Sequence, residues 1–281
     1  MKPRTVVLIA VGVTAAVILG SFAFLVLQQL FAGSLFPGEQ TLELLQASPY
    51  PNLLLEVDHT AGDRPTSSAL AVLEARLGAY TAKESIQTVF DVIQVNETRF
   101  STVDLLDLER ANRDEATGGD TFTLYILSIS GQLEDGNGNA LGAAYTASSL
   151  AIFKDVIRAV TGGPGPSVGE VEASVLVHEL GHIMGLVNLV YTSDLDYEDP
   201  THPFHSNNTT GVMFWAIEST AFVQPPNDFG SETRFDLQKL REGEYNVTPS
   251  RLRDLVVAPD QAGKLEDRWA TVGSCFRWLP T

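Results

Sequence analysis

The run VEASVLVHELGHIM, residues 171–184, constrains this chain more than any other stretch of it. Ahead of it, Ser167 followed by Glu170 makes a capping-box pattern, and after it stands Gly185, where a helix can stop. A helix ending near Gly185 is therefore predicted. It follows several strand-like segments and the break TGGPGPS, so it is expected to be a central helix packed against a sheet. His178, Glu179 and His182 fall on it. Residues four apart share a helix face, so both imidazoles can reach one zinc ion (Zn2+) at about 2.0–2.1 Å. Glu179 projects beside them, placed to take a proton from water that such an ion activates.

A tetrahedral catalytic zinc takes three protein ligands and leaves its fourth position open. HELGHIMGLVN, from His178 to Asn188, resembles the metzincin branch of zinc metallopeptidases, whose pattern runs HExxHxxGxxH. Gly185 matches the glycine at which that helix stops and the chain turns back, a place suited to a residue without a Cβ. The third histidine of the pattern is replaced by Asn188, and an amide is a poor zinc ligand beside imidazole. Downstream, GVMF contains Met213, similar to the methionine of the metzincin Met-turn. His205 precedes it by eight residues, a separation found in archaemetzincins. The resemblance implies zinc held by His178, His182 and His205, with about 17 residues inserted before the third ligand. His202 is the main alternative ligand, followed by Asp199 and Asn188.

The same resemblance implies an α/β fold: a mixed twisted sheet with an active-site helix and a smaller C-terminal part, here preceded by one transmembrane helix. An edge strand of that sheet would hold an extended peptide beside the zinc. The implied function is endopeptidase hydrolysis of extracytoplasmic proteins or peptides, with Glu179 as general base. Trp215 stands where some members have a tyrosine after the methionine, and Cys275, the one cysteine, is no propeptide latch. A catalytically inactive exported binding domain, with or without structural zinc, is the alternative function. An amidase or esterase using the same water activation has less behind it.

Upstream, LLLEVDH (Leu53–His59), IQTVFDVIQV (Ile86–Val95) and TFTLYILSIS (Thr121–Ser130) read as strands. ALAVLEARLGAY reads as a helix, and DLLDLERANRDEATGGD as a short helix with a loop. LGAAYTASSLAIFKDVI is expected to give one or two more strands, including the one nearest the central helix. TRFDLQKLREG is expected to be a C-terminal helix closed by Gly243, with Asp236 on a solvated face. His59 reads as a surface or packing histidine.

Residues 5–38 carry no charge, and Val6 to Leu27 is long enough to cross a bilayer as a helix. Lys2 and Arg4 precede the run, which predicts a cytoplasmic N-terminus, a single-pass membrane protein and an exported body. A cleavable signal peptide ending near Ala32–Ser34 is the alternative. The expected division is a stub at 1–4, an anchor at 5–30, a linker with a short amphipathic piece at 31–52, a metallopeptidase domain at 53–245 and an extension at 246–281.

With 18 Lys+Arg against 35 Asp+Glu, the net charge of −17 excludes nucleic acid as the main partner. Few lysines among many acids suit a protein working in high salt, where screening relaxes self-repulsion. Asp194, Asp196, Glu198 and Asp199 crowd the insertion: a solvated acidic loop, or a calcium (Ca2+) site ordering the segment that holds His205. Asp199 is also a candidate partner for the second ring nitrogen of a ligand histidine. Asn96, Asn207, Asn208 and Asn246 match the N-glycosylation pattern, which is too short to carry weight alone.

Overall fold

The computed structural model describes residues 36–134, 140–162, 164–215 and 224–248. Five strands form the main sheet: β1 (Asn52–His59), β2 (Ser85–Val92), β4 (Thr121–Ile129), β6 (Gly142–Ala144) and β7 (Ser149–Phe153). Their order is β2-β1-β4-β7-β6, with β6 antiparallel to β7 and the rest parallel. β3 (Arg99–Phe100) and β5 (Gln132–Leu133) pair separately. The helices are α1 (Thr41–Leu45), α2 (Ser67–Tyr80), α3 (Thr102–Asn112), α4 (Lys154–Val160), α5 (Val168–Ile183) and α6 (Ser231–Glu242). The expected mixed α/β sheet with a central helix is what these elements build.

Strand register separates the two faces of the sheet. Leu55 pairs with Leu124, Val57 with Ile126, and Ile126 with Leu150, so these fully buried side chains share one face. On that side α5 packs against β6 and β7, with α2 beside it. The alternate positions mix buried apolar side chains (Leu127, Ile129, Ala151 and Phe153) with polar ones. Asp58 accepts from the Tyr125 hydroxyl (2.6 Å), and Glu56 accepts from the backbone of Asp114 (2.6 Å) and Glu115 (3.1 Å). Ser149 donates to Glu109 of α3 (2.7 Å). This second face adds buried hydrogen bonds to its apolar packing, which includes Phe153 stacked on Phe100.

Local sequence explains three of the six described helix starts. Thr66 caps α2 through Ala69 N, while Ser101 with Asp104 and Ser167 with Glu170 form reciprocal capping boxes on α3 and α5. Gly243 ends α6 at φ +73, as expected from its place after the helix. The stretch LGAAYTASSLAIFKDVI divides into β6, a tight connection, β7 and then α4, whose Asp155 in the first turn and Arg158 in the last suit the helix dipole. The segment read as part of a linker forms α1 and places Leu44 and Leu45 fully in the core. Lys83 fastens it by donating to the carbonyls of Glu43 (2.6 Å), Gln46 (2.8 Å) and Tyr50 (2.5 Å).

The expectation of a transmembrane helix ahead of the domain requires correction. Among the described residues no helix is long and apolar enough to cross a membrane. The most apolar of them, α5, has 16 residues, short of the roughly 20 that a bilayer needs, and it is buried inside protein. The predicted span at residues 5–30 lies outside the described residues. The fold is therefore an α/β domain without a described spanning helix. Membrane attachment and single-pass cell-membrane localisation have no support in it and are not carried forward.

Candidate metal centre

The all-round burial of α5 sets the character of this site. His178 and Glu179 are fully buried, and His182 is nearly so. Helix periodicity brings the two imidazoles together with ring centroids 4.8 Å apart. The third histidine comes from the inserted segment: the His205 ring lies 5.3 Å from that of His178 and 5.1 Å from that of His182. One ligand atom from each of the three lies within 4.8 Å of the others. Among the described residues this is the one group of three or more His, Cys, Asp or Glu side chains placed to hold a metal.

Hydrogen bonds at the far ring nitrogens assign the near ones. His178 Nδ1–H donates to the Val212 carbonyl (2.7 Å), and His205 Nδ1–H donates to the Pro203 carbonyl (2.9 Å). Both rings thus turn Nε2 lone pairs inward, the usual arrangement behind a metal. His205 Nε2 is buried with no hydrogen-bond partner. His178 Nε2 and His182 Nε2 are 3.1 Å apart, close to the roughly 3.3 Å that two tetrahedral zinc–nitrogen bonds would set. Burial pushes His178 down to about 4 and His205 down to about 3, and carries His182 well below the usual imidazole range. Neutral imidazoles are the form that binds metal, so the donor set fits such an ion.

Glu179 lies against strand β6. Its Oε2 accepts from Ala144 N (2.7 Å), while Oε1 is buried without a partner. Burial lifts its carboxyl to about 8, against the pull of the Ala144 amide. Gly142 permits this approach: a Cβ there would stand 2.6 Å from Val175 Cγ1 and 3.0 Å from Glu179 Cγ. The backbone of β6 pairs with β7 through Leu141 O and Tyr145 N. Gly142 and Ala144 therefore carry their own backbone groups on the opposite, outer edge.

The floor of the cluster is Met213, fully buried in a tight turn closed by Phe214 N to Gly211 O (3.1 Å). Gly181 admits it: a Cβ on that glycine would stand 2.2 Å from the Met213 sulfur. Ser206 N donates to the Met213 carbonyl (2.8 Å), tying the residue after His205 to this turn. At the end of α5, Gly185 adopts φ +72, and a Cβ there would meet Thr41 Oγ1 and Val190 Cγ2, each at 2.5 Å. Val187 and Asn188 follow with φ +54 and +63.

The other candidates lie elsewhere. Asn188 donates to Glu198 (2.8 Å) and accepts from Ser193 N (2.7 Å), so its amide organises the insertion and is not part of the cluster. His202 stacks flat on Trp215, 4.0 Å between centroids, with its Nδ1 on Asp199 (3.1 Å). Asp199 caps Thr201 N and His202 N and does not accept from a ring of the cluster. The acidic loop does not converge on a cation site among the described residues. Glu198 instead accepts from Asn188 and Phe204 N, and Asp194 meets Lys239.

Two contributors escaped the sequence. The Ala144 amide has no side-chain signature, although the small residues GAA do permit a close helix approach. Asp236, expected on a solvated face, is fully buried and accepts four hydroxyl groups.

A mixed sheet, a buried HExxH helix, a displaced third histidine and a methionine floor define a metzincin-like metal-binding arrangement. No family model and no curated protein matches the chain. Among solved structures, archaemetzincin from Methanopyrus kandleri is similar at 18% identity, over 67% of this chain and 95% of that one, with a TM-score of 0.45. Archaemetzincin from Archaeoglobus fulgidus, complexed with malonate, is similar at 13% identity, over 66% and 99%, with a TM-score of 0.38. The chemistry that follows rests on this chain's own residues.

Proposed function

We propose that the chain is a zinc-dependent endopeptidase acting on proteins or peptides. The observation that carries this reading is the unpartnered, buried Oε1 of Glu179, next in the helix to His178, together with the cluster of three buried imidazoles, two of which turn Nε2 lone pairs inward. His178, His182 and His205 would hold the ion. When bound, zinc supplies Lewis acidity that polarises a carbonyl and makes water a nucleophile near neutral pH. Glu179 is oriented by the Ala144 amide on Oε2; in its ionised form, which the charge of a bound cation would favour against the effect of burial, Oε1 would accept the proton of the attacking water and return it to the leaving nitrogen. The outer edge of β6, next to Glu179, offers the Gly142 backbone groups and the Ala144 carbonyl to an extended substrate strand, the Ala144 amide being held by Glu179.

Zinc stoichiometry of the full-length chain tests the reading, measured for wild type and for alanine variants of His178, His182, Asn188, His202 and His205. One zinc per chain is expected, lost on His205→Ala and kept on His202→Ala and Asn188→Ala. Glu179→Gln should keep zinc and lose about 10²–10⁴-fold in peptide hydrolysis. Zinc without hydrolysis of any peptide library, in low and high salt, would instead make the chain a binding domain. A folded wild type that takes no zinc would end the peptidase reading and leave a binding domain without a metal.

A further inference from the structure

The third histidine stands on a long insertion, and an insertion does not fix a side chain without an anchor. One buried carboxylate supplies it. Asp236, in the middle of α6, accepts from the hydroxyls of Tyr191 (2.8 Å) and Tyr197 (2.6 Å) on Oδ2. On Oδ1 it accepts from Ser193 (2.8 Å) and Tyr245 (2.8 Å). A carboxylate has about four lone-pair sites, and four hydroxyls fill them here. Three of the four belong to the insertion. The path on to His205 is short. The Tyr197 carbonyl accepts from Asn207 N (2.8 Å), and Asp199 N donates to the His205 carbonyl (2.7 Å), so Tyr197–Asp199 runs antiparallel beside His205–Asn207. Tyr191 stacks on Tyr245 at 4.9 Å, closing the anchor from the side of α6.

We propose that Asp236 is a positioning residue for the metal centre: through the Tyr191, Ser193 and Tyr197 hydroxyls it sets the inserted loop so that His205 reaches His178 and His182. This rests on the zinc reading above. It assigns to α6, which carries none of the three imidazole ligands, control over the one ligand that α5 does not carry.

The test is a double-mutant cycle on zinc affinity, read by competition with a chromogenic chelator on the full-length protein. Asp236→Asn keeps the shape but replaces one acceptor oxygen by a donor group, leaving two hydroxyls without their acceptor. It should weaken zinc binding about tenfold in the wild-type background, the lower end for an outer partner of a ligand. In the His205→Ala background, titrated at zinc concentrations high enough to fill the weaker site that His178 and His182 retain, the same substitution should change affinity less than about twofold, because the ligand it positions is gone. Tyr197→Phe, which removes a single hydroxyl, should show the same pattern at smaller amplitude and takes the place of Asp236→Asn in the cycle if that variant does not fold. Equal losses in both backgrounds, or no loss in either, would overturn the positioning role while leaving the zinc reading intact. A wild type that binds no zinc would remove the zinc reading itself, and this inference with it.

Discussion

Gly181→Ala should destabilise this protein, although the same change in an ordinary helix stabilises it. In a helix interior, alanine is favoured over glycine by about 0.5–1 kcal/mol. Here the added Cβ would stand 2.2 Å from Met213 Sδ, where ordinary contact begins at 3.4 Å, and 3.1 Å from Phe229 Cε1. The sulfur must retreat by more than 1 Å. Met213 is fully buried, and its backbone carbonyl already accepts from Ser206 N. Overpacking of this kind costs about 1–3 kcal/mol. The net expectation is a loss of about 1–2 kcal/mol, which for a domain of this size lowers Tm by about 2–8 °C. The Val212 carbonyl that orients His178 is next in the chain to Met213, so zinc affinity should fall about tenfold as well. Calorimetry and chelator competition measure both. Met213→Ala alone opens a cavity, but combined with Gly181→Ala it relieves the overlap, so the pair should be less destabilising than the sum by about 1 kcal/mol or more. A Gly181→Ala protein with a raised Tm and unchanged zinc affinity would refute the close packing of the methionine on the helix.

Gly142→Ala should keep zinc but reduce peptide hydrolysis about 10–100-fold, since its Cβ would press on Glu179 Cγ at 3.0 Å and shift the general base. Paired zinc and kcat measurements check this. Gly185→Ala should cost at least about 2 kcal/mol, from the left-handed backbone and the two overlaps with Thr41 and Val190, as read by urea unfolding. Asp63 is buried, which by itself raises its carboxyl. Hydrogen bonds from Thr60, Ser130 and Arg158 outweigh that and hold it below its ordinary 3.8. Its contribution is then complete above the ordinary value and is lost as pH falls through the lower folded value. Asp63→Asn should therefore cost about 1–2 kcal/mol at neutral pH and show a flatter loss of stability below pH about 4 in a pH series of unfolding curves.

The parts of this site that follow from helix periodicity were legible in the sequence. Ser167, Glu170, His178, Glu179, His182 and Gly185 specify a capped helix, a face and a stop, all within 19 residues. His205 was legible through its distance from Met213, a local spacing again. What could not be read is what only tertiary structure brings together. Asp236 sits in DLQKL among polar neighbours, and no local pattern distinguishes it from a solvated acid; its burial comes from tyrosines 39 to 45 residues earlier and one nine residues later. Leu44 and Leu45 looked like part of a linker because the apolar surface they cover is assembled from distant segments. The buried acids of β1 were hidden for a similar reason: nothing local to Glu56 and Asp58 shows that hydrogen bonds from the chain after α3 and from Tyr125 cover them.

The displaced third histidine also has a polymer-physics consequence. In the zinc reading, two imidazoles sit on one rigid helix, and the chelate ring would be closed through a segment of 23 residues from His182 to His205, where the HExxHxxGxxH spacing needs six. Closure entropy grows only logarithmically with length, so the longer ring costs about 1.2 kcal/mol more. That is the scale of one good hydrogen bond to a charged group, and the Asp236 anchor contains four. Lengthening the ring was thus a small thermodynamic step once α6 offered an acceptor. It leaves a loop whose tip can tolerate insertion or deletion between Ser193 and Tyr197 far better than at the two anchor points themselves.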